Sequence, residues 1–507
     1  MTTSIQQKIR DKKRTPKQIA DMVKSGDWIN LGAFGGESTV LFEEVVKRLG
    51  PEPGQLKDIE FWTNAIFNPH PEVEEIDPLE KYHSLHVNFY FAWERKMRDK
   101  YGVIDWKNWG WAMGTEHQHY RFADPVKEKR GLDWLFTSVT LPDSRGYFNF
   151  SYGTSDMQMF RETSKKLVVE AREDYPWAEG GQNNVINIDD VDYWVEVDCE
   201  KYKWPQVDEH AIKPSPEEEK IANHIMTIMR DRDVIQLGIG ALPTAVLTAI
   251  ANAEFKDIGI HTEMLNYGLL KLIESGQVTN KFKSIDRGKS VWTFVIPFMT
   301  KYYYDMIDHN PAMAAYDIDY TNNINILSRI DNMIGIDNAV AMDLYGQVSC
   351  GNFAKRPISS TGGFFNFISF CPLAKGGRSV VSMTARAKNG QSRIMPFLPE
   401  GTCVDVPAQL VQYVCTEYGI VNLWGLSGYE KAKALISIAH PDDREWLEKQ
   451  ARENNLLPPH FPVSMDVKPG VSRRYPTYDE RRRYKLLYSS RLVGNDYLDG
   501  SDIISGK

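Results

Sequence analysis

Residues 232–247, RDVIQLGIGALPTAVL, decide the fold of this chain, because they join a β-type run to a helical run through a glycine turn. An earlier stretch, residues 26–32, reads GDWINLG and matches RDVIQLG at 232–238, an offset of 206 positions. The same offset pairs Val40-Leu41 with Val246-Leu247. The repeat predicts two similar halves, each beginning with helix, strand, glycine loop and helix.

Other β-type runs alternate with amphipathic helical stretches, which favours an α/β fold with mostly parallel, open sheets. These runs are WINLGAF (28–34), KLVVEA (166–171), VIQLGIG (234–240), IGIHTEM (258–264) and RSVVSM (378–383). A polar stretch with two prolines at 201–217 predicts a linker. We therefore expect three parts: an N-terminal domain over 1–205, a second domain over 218–457, and a tail or oligomer-contact arm over 458–507.

Composition narrows the class of protein. The chain has 507 residues, of which 42% are hydrophobic and 25% charged, and it has no apolar run near the ~18 residues of a membrane span. A net charge of −8 disfavours nucleic acid as a partner, although the Arg-rich tail leaves that alternative open. Five cysteines without C-x-x-C spacing predict neither a disulfide framework nor a metal site. The basic start lacks the apolar core of a secretory signal, so we expect a cytoplasmic protein.

Three motifs are candidates for chemistry. Gly238-Ile239-Gly240, followed by Ala241-Leu242, ends a strand and opens a helix, where backbone N–H groups can face an anion. Glu263 is expected at the carboxyl end of a short strand, as a carboxylate that is ionised at neutral pH and able to attack an acyl carbon. Gly362-Gly363 allows a close backbone approach to a ligand. Taken singly, each motif also has a structural interpretation: a tight turn for either glycine motif, and a solvated or helix-capping side chain for Glu263.

Two weaker features also leave alternatives open. His261 is either a general base or a hydrogen-bonded structural residue. Trp106, Trp109 and Trp111 either pack in the core or form one wall of an apolar pocket.

Nine segments in a fixed order carry a resemblance to a known family. They are SVTLPDSRGYFNF (138–150), IQLGIGALPTAVL (235–247), HTEMLNYGLLKLIESGQVTN (261–280), DYTNN (319–323), DLYGQV (343–348), STGGFFNF (360–367), AKNGQSRI (387–394), TEYGIVNLWG (416–425) and ALISIAHPDDREWL (434–447). Together they resemble the acetyl-CoA hydrolase/transferase family, a branch of the class I CoA-transferases that includes butyryl-CoA:acetate and 4-hydroxybutyrate CoA-transferases.

The resemblance implies two similar α/β domains with the active site between them, coenzyme A as co-substrate, no tightly bound cofactor, and a homo-oligomer. It implies that Glu263 is the catalytic nucleophile and passes through a glutamyl-CoA thioester. Oxyanion or substrate contacts are implied for five positions: Ala241, Leu242, Asn322, Gly362 and Gly363. CoA contacts are expected at Gly238, Gly240 and Lys388.

The chain also departs from the family pattern. Phe365 and Asn366 stand where the family has a small or aliphatic residue and an acid, Asp337-Asn338 replaces an N-S pair, and Val406–Gln412 has lost the family's Arg, Asp and His. Because polar groups give way to aromatic ones, the sequence predicts a bulky, hydrophobic or aromatic acyl group. Two alternatives remain: an acyl-CoA hydrolase, which would need a second carboxylate that the sequence does not reveal, and a non-catalytic CoA-binding protein.

Overall fold

A computed structural model describes residues 4–111, 117, 120–122, 131–181, 183–204, 212–296 and 300–459. The expected tail at 458–507 lies outside these residues from position 460 onward. Part of the expected linker, 205–211, also lies outside them, and a helix begins at Pro216 behind the Ser215 cap.

The first half is built on a seven-stranded sheet in which every neighbouring pair is parallel. Its strand at Trp28–Asn30 lies between Ile59–Trp62 and Trp134–Thr140. In spatial order the strands are Asp105–Trp106, His83–Val87, Ile59–Trp62, Trp28–Asn30, Trp134–Thr140, Leu167–Arg172 and Tyr193–Glu196. Strands buried on both faces explain the continuous apolar runs seen in the sequence.

The second half repeats this plan with a six-stranded sheet that is parallel except at one edge. Its strand at Val234–Leu237 lies between Gly259–Ile260 and Met333–Asn338, in the place that Trp28–Asn30 takes in the first half. In spatial order the strands are Gly259–Ile260, Val234–Leu237, Met333–Asn338, Arg378–Ser382, Tyr413–Thr416 and Gly419–Asn422. The prediction of two similar α/β halves is confirmed.

Helices pack against both sheets, and the remaining short strands form small separate sheets of two or three strands. The helices are Ile5–Lys12, Pro16–Ala20, Val40–Val46, Pro71–Ile76, Ala92–Tyr101, Met157–Thr163, Pro216–Met226, Ala241–Asn252, Tyr267–Glu274, Thr300–Ile307, Ile318–Thr321, Ile324–Leu327, Phe364–Phe370, Gly428–Ile438 and Pro441–Glu453. The shorter strands are Tyr147–Asn149, Val185–Asn187, Met264–Leu265, Ser290–Trp292, Phe294–Val295, Met313–Ala315, Ala341–Asp343, Val348–Ser349, Asn352–Phe353, Arg356–Pro357 and Ile394–Met395. Within the described ranges, none of the helices combines the length and the apolar character that crossing a membrane requires.

The two halves share their cores and pair their backbones. Phe34 of the first half stacks on Phe294 of the second, with ring centroids 4.0 Å apart. The Val295 N–H donates to the Tyr152 carbonyl at 2.8 Å, and Gly110 forms a parallel bridge with Gly362. The carboxyl end of the first sheet therefore faces the glycine turn of the second half, where the site lies.

Candidate active site

Glu263 lies just beyond the strand Gly259–Ile260, at the carboxyl end of the second sheet, as predicted. Its backbone carbonyl accepts hydrogen bonds from the N–H groups of Thr293 (3.1 Å) and Phe294 (3.2 Å), which fix the main chain there. The side chain is half-buried. A parallel sheet places ligand-binding groups at this edge, so the position suits a reactive carboxylate.

Two donors hold the carboxylate of Glu263. The amide of Asn322 donates to its Oε2 at 2.6 Å, and the backbone N–H of Gly363 also bonds to it. A Cβ on Gly363 would overlap Oε2 and lie 2.6 Å from Asn322 Nδ2, so only glycine fits here. The structure thus brings together three residues that the sequence singled out.

Asn322 is itself held in place by its neighbours. Its Oδ1 accepts from the Thr321 hydroxyl at 2.9 Å, and its backbone carbonyl accepts from the Asn366 amide at 2.8 Å. Asn366 is one of the positions where the chain departs from the family pattern. Sequence reasoning did not assign it to the site, because its contact is with a main-chain carbonyl 44 residues away.

The protonation state of Glu263 differs from the expectation. Burial raises the pKa of its carboxyl to about 8, the hydrogen bonds from Asn322 and Gly363 lower it, and the negative charge of Asp337 raises it. A carboxyl with this raised pKa is largely protonated at neutral pH, whereas a carboxylate ionised at neutral pH is expected from the sequence. Desolvation disfavours the charged form, and its size depends on packing that the sequence does not show.

Asp337 is a second carboxylate that the sequence analysis did not connect with Glu263. It ends the strand Met333–Asn338, beside Val234–Leu237, and its Oδ1 accepts from the Gln236 amide at 3.2 Å. Its Oδ2 is buried and lacks a hydrogen-bond partner among the described residues. Burial raises the pKa of Asp337 to about 7. The parallel register places both residues at the same edge of the sheet, on either side of the strand Val234–Leu237.

Four aromatic side chains, here called the aromatic wall, stand beside the glycine turn. They are Phe34, Phe89, Trp111 and Phe294, with ring centroids 4.0–5.7 Å apart. The ring of Phe89 lies so near Gly362 that a Cβ there would come within 2.9 Å of it. Phe34 has a φ of +48°, a backbone conformation that bulky residues rarely adopt outside functional sites.

The other predicted residues line two separate cavities. Ala241, Leu242 and Lys388 line one of about 640 Å³, together with Arg386 and Arg393. Gly238 and Gly240 line another of about 430 Å³. The glycine loop is tied to the strand after Glu263, because the Asn266 amide donates to the Gly238 carbonyl at 3.0 Å.

His261 is a structural residue. It is fully buried, its Nε2 lies 2.8 Å from the Thr321 carbonyl, and burial lowers its pKa to about 3. A neutral imidazole that donates to a carbonyl is a weak base. Of the tryptophans, Trp111 belongs to the aromatic wall, while Trp106 and Trp109 are partly buried beside the core.

Solved structures and relatives similar to this chain include CoA-transferases by name. RipA from Yersinia pestis superposes with a TM-score of 0.79 at 27% identity, covering 90% of this chain and 100% of RipA. A probable butyrate:acetyl-CoA coenzyme A-transferase of Syntrophomonas wolfei is 32% identical over 464 residues, 90% of this chain and 98% of the relative. A succinyl-CoA:cyclohexane-1-carboxylate CoA transferase of Geobacter metallireducens is 30% identical over 456 residues, again 90% and 98%.

Family models match both halves. The acetyl-CoA hydrolase/transferase N-terminal domain matches residues 3–203, and the C-terminal domain of the same name matches residues 300–451. The chain belongs to the acetyl-CoA hydrolase/transferase family and is an enzyme of the CoA-transferase type.

Proposed function

We propose that this enzyme moves CoA from an acyl-CoA to a free carboxylic acid through covalent chemistry at Glu263. The observation that carries the proposal is the carboxylate of Glu263, held between the Asn322 amide and the Gly363 N–H at the seam between the halves. A carboxylate can attack a thioester carbonyl when it is ionised and aligned.

The steps balance without a metal or another co-reactant. Glu263 attacks the acyl carbonyl, and the C–S bond breaks. CoA leaves as a thiolate, and the acyl group stays on Glu263 as a mixed anhydride. The thiolate then attacks the glutamyl carbonyl, which releases the first acid and leaves a glutamyl-CoA thioester. The acceptor carboxylate reverses both steps and departs as the new acyl-CoA.

Asn322 and Gly363 serve both halves of this cycle. The two donors that hold the carboxylate of Glu263 remain in place when its carbonyl becomes tetrahedral and negatively charged. Each such donor is typically worth about 3 kcal/mol of transition-state stabilisation. Because Asn322 is anchored by Thr321 and Asn366, little reorganisation accompanies the reaction.

The 640 Å³ cavity is our proposed CoA site. Its lining carries Lys213, Arg386, Lys388 and Arg393, and cations of this kind attract phosphate groups. Ala241 and Leu242 lie on the same lining at the start of the helix Ala241–Asn252, where backbone N–H groups are available. Lys388 keeps its predicted role as a phosphate contact within this proposal.

The aromatic wall supports a bulky, hydrophobic or aromatic acyl group. Phe89 and Trp111 reach the Gly362 turn, so an acyl chain on Glu263 would lie against ring faces. A panel of acyl-CoA donors measures this: we expect branched, long or aromatic acyl groups ahead of acetyl and propionyl. Rates with acetyl-CoA and propionyl-CoA far above those with the larger donors would contradict the assignment.

Borohydride reduction tests the covalent step. After incubation with acyl-CoA, the Glu263 thioester is reduced to an alcohol, which changes the mass of the peptide that holds it. We expect the change in the parent protein and in the exposed control Glu274→Gln, and none in Glu263→Gln. Turnover of Glu263→Gln should fall by at least about 1,000-fold. An unmodified parent peptide, or a Glu263→Gln variant at the parent rate, would refute the proposal.

One observation favours a second activity, acyl-CoA hydrolysis. Asp337 raises the pKa of Glu263 and so lies within electrostatic reach, and its Oδ2 lacks a partner in the described part of the chain. Such a carboxylate can accept a proton from water that attacks the glutamyl intermediate. Rates of thiol release with and without an acceptor acid separate the two activities.

A further inference from the structure

Three polar residues follow neighbouring strands at the carboxyl edge of the first sheet. Asn64, Asn88 and Lys107 follow the adjacent strands Ile59–Trp62, His83–Val87 and Asp105–Trp106. The Asn88 N–H donates to the Asn64 carbonyl at 3.1 Å, and the Lys107 N–H donates to the Val87 carbonyl at 2.8 Å. The three residues therefore stand side by side along this edge.

Lys107 is a buried cation without a hydrogen-bond acceptor among the described residues. Its side chain is 5% exposed, and its Nζ lies over the rings of Trp109 (5.0 Å) and Trp62 (5.6 Å). Burial lowers the pKa of Lys107 to about 7, while the charges of Asp156 and Asp105 raise it. Ring faces attract an ammonium group but offer its protons no lone pairs.

Lys283 shows what a structural lysine looks like in the same protein. It is equally buried, yet its Nζ donates to the carbonyls of Ile260 at 2.9 Å and Lys289 at 2.7 Å. Burial lowers its pKa to about 7 as well. The difference lies in hydrogen bonding: Lys283 has two carbonyl acceptors, whereas the Nζ of Lys107 has none within the part of the chain that the structure describes.

The surroundings of Lys107 hold further donors in need of an acceptor. Asn88 is 1% exposed, and within the described structure neither its Nδ2 nor its Oδ1 has a partner. The same holds for the indole N–H of Trp62, whose ring lies under the Lys107 ammonium group. A buried polar atom left unpaired is destabilising, so a ligand that supplies an acceptor here would be favoured. An ammonium group with an amide and an indole N–H nearby suits a carboxylate.

The segment that carries Lys107 runs into the candidate active site. The Ser360 hydroxyl donates to the Trp109 carbonyl at 3.1 Å, and the Trp111 N–H donates to the Gly362 carbonyl at 3.2 Å. Lys107 lies three residues before Gly110, the bridge partner of Gly362, and the Trp109 N–H donates to the Lys107 carbonyl at 2.9 Å, so the main chain of Lys107 lies within roughly 10 Å of Gly110. This distance is within the length of one acyl chain from the turn that contacts Glu263.

We propose that Lys107, aided by Asn88, binds the distal carboxylate of a dicarboxylic acid, which is one of the two acids that the enzyme exchanges. The inference rests on the proposed function at Glu263. The aromatic wall would contact the carbon chain between the two carboxyl groups, and Lys107 would select the far end. The second exchanged acid then needs apolar contacts with the aromatic wall only.

A substitution of Lys107 by methionine tests the proposal, because Met keeps the apolar stem and removes the charge. Acceptor acids of matched length are compared with one acyl-CoA donor: succinate, glutarate and adipate against butyrate, valerate and hexanoate. We expect the parent to prefer a dicarboxylate. In Lys107→Met, kcat/KM for that acid should fall about 100-fold, with less than about a 3-fold change for the monocarboxylates. Lys100→Met, on the exposed face of the helix Ala92–Tyr101, is the matched control and should leave both classes unchanged.

Binding measured without turnover separates this inference from the proposed function. In the Glu263→Gln background, the dicarboxylate should raise the melting temperature, and Lys107→Met should abolish that shift. If Glu263 proves not to be the nucleophile, the shift and its loss still stand. A parent enzyme indifferent to the second carboxylate, or a Lys107→Met variant that loses both acid classes equally, would overturn the inference and leave Lys107 as a packing residue held by Trp62 and Trp109.

Discussion

Gly363 shows how one missing side chain allows a site to exist. Its φ of −80° and ψ of −2° are open to any residue, so backbone strain does not require glycine here. The requirement is steric, since a Cβ would overlap the Glu263 carboxylate and crowd the Asn322 amide. Gly362, with a φ of +54°, needs glycine for its conformation as well.

Gly363→Ala should therefore cost activity without costing the fold. We expect kcat/KM to fall by about 100-fold or more, because the carboxylate of Glu263 must leave both donors, while the melting temperature changes little. Gly428→Ala is the control, since nothing lies within 4 Å of a Cβ there and alanine favours the helix Gly428–Ile438. Near-parent kinetics for Gly363→Ala would show that the carboxylate does not use this contact.

The pH dependence belongs to Glu263 and Asp337 together. With the pKa of Glu263 near 8, log kcat/KM should rise with pH and level off above about pH 8, because only the ionised carboxylate attacks. Asp337→Asn removes a negative charge and should move the midpoint to lower pH, as a pH–rate profile would record. A midpoint that stays in place would mean that the two carboxylates do not interact.

The raised pKa of Glu263 also makes the free energy of unfolding depend on pH. Between pH 4.5 and about 8 the folded protein holds a proton on Glu263 that the unfolded chain releases. This contribution to stability is complete below pH 4.5 and is lost as the pH rises toward 8. Glu263→Gln should remove that part of the slope.

Residue chemistry was only partly predictable. The H-T-E-M motif located Glu263, and the position of Gly362-Gly363 beside it is confirmed by the structure. The resemblance implied Asn322 and Gly363 as site residues, although they lie 59 and 100 positions from Glu263 along the chain. The contact of Asn366 with Asn322 and the influence of Asp337 on Glu263 were not predicted, because they depend on how the segments pack. The sequence did not indicate a role for Lys107, because a lysine between tryptophans is expected on the surface. Its burial becomes visible only when the strands are placed in register.

At the scale of elements, Glu170 joins a strand to a helix. From the strand Leu167–Arg172, its buried carboxylate accepts from the Ser38 hydroxyl at 2.6 Å and from the N–H groups of Thr39 and Leu41 at 3.1 and 2.7 Å. These groups lie at the start of the helix Val40–Val46, whose free N–H groups and dipole favour a negative charge. These hydrogen bonds hold in place the glycine loop of the first half, which leads into this helix.

Glu170→Gln should lower the free energy of unfolding by about 2 kcal/mol, because an amide presents a donor to donors and gives up the charge-assisted bonds. Urea unfolding followed by fluorescence measures this. Glu173→Gln, exposed just past the same strand, serves as control and should change little. Equal effects in the two variants would mean that Glu170 does not support the helix start.

Element positions were largely predictable, with boundaries as the weak point. VIQLGIG was expected as a strand and forms Val234–Leu237 before the glycine turn, while RSVVSM forms Arg378–Ser382. The stretch 258–264 was expected as one short strand and instead divides into Gly259–Ile260 and Met264–Leu265, which pair in different sheets. Apolar periodicity predicts extended backbone, but it does not say with which strand each residue pairs.

At the scale of the molecule, the offset of 206 residues predicted two related halves, and the structure confirms them with matching first strands. How the halves meet could not be predicted, because the contacts that join them, such as Phe34 on Phe294 and Gly110 beside Gly362, have no periodicity in the sequence. Such contacts depend on the completed surfaces of both sheets.

The seam between the halves separates two tasks. Glu263, Asn322 and Gly363 come from the second half, whereas Phe89, Trp111 and Lys107 come from the first. Under our proposals, residues of the second half make and break bonds, and residues of the first half select the acid. Substitutions in the first half alone would then adapt the enzyme to a new acid and leave the reactive centre in the second half unchanged.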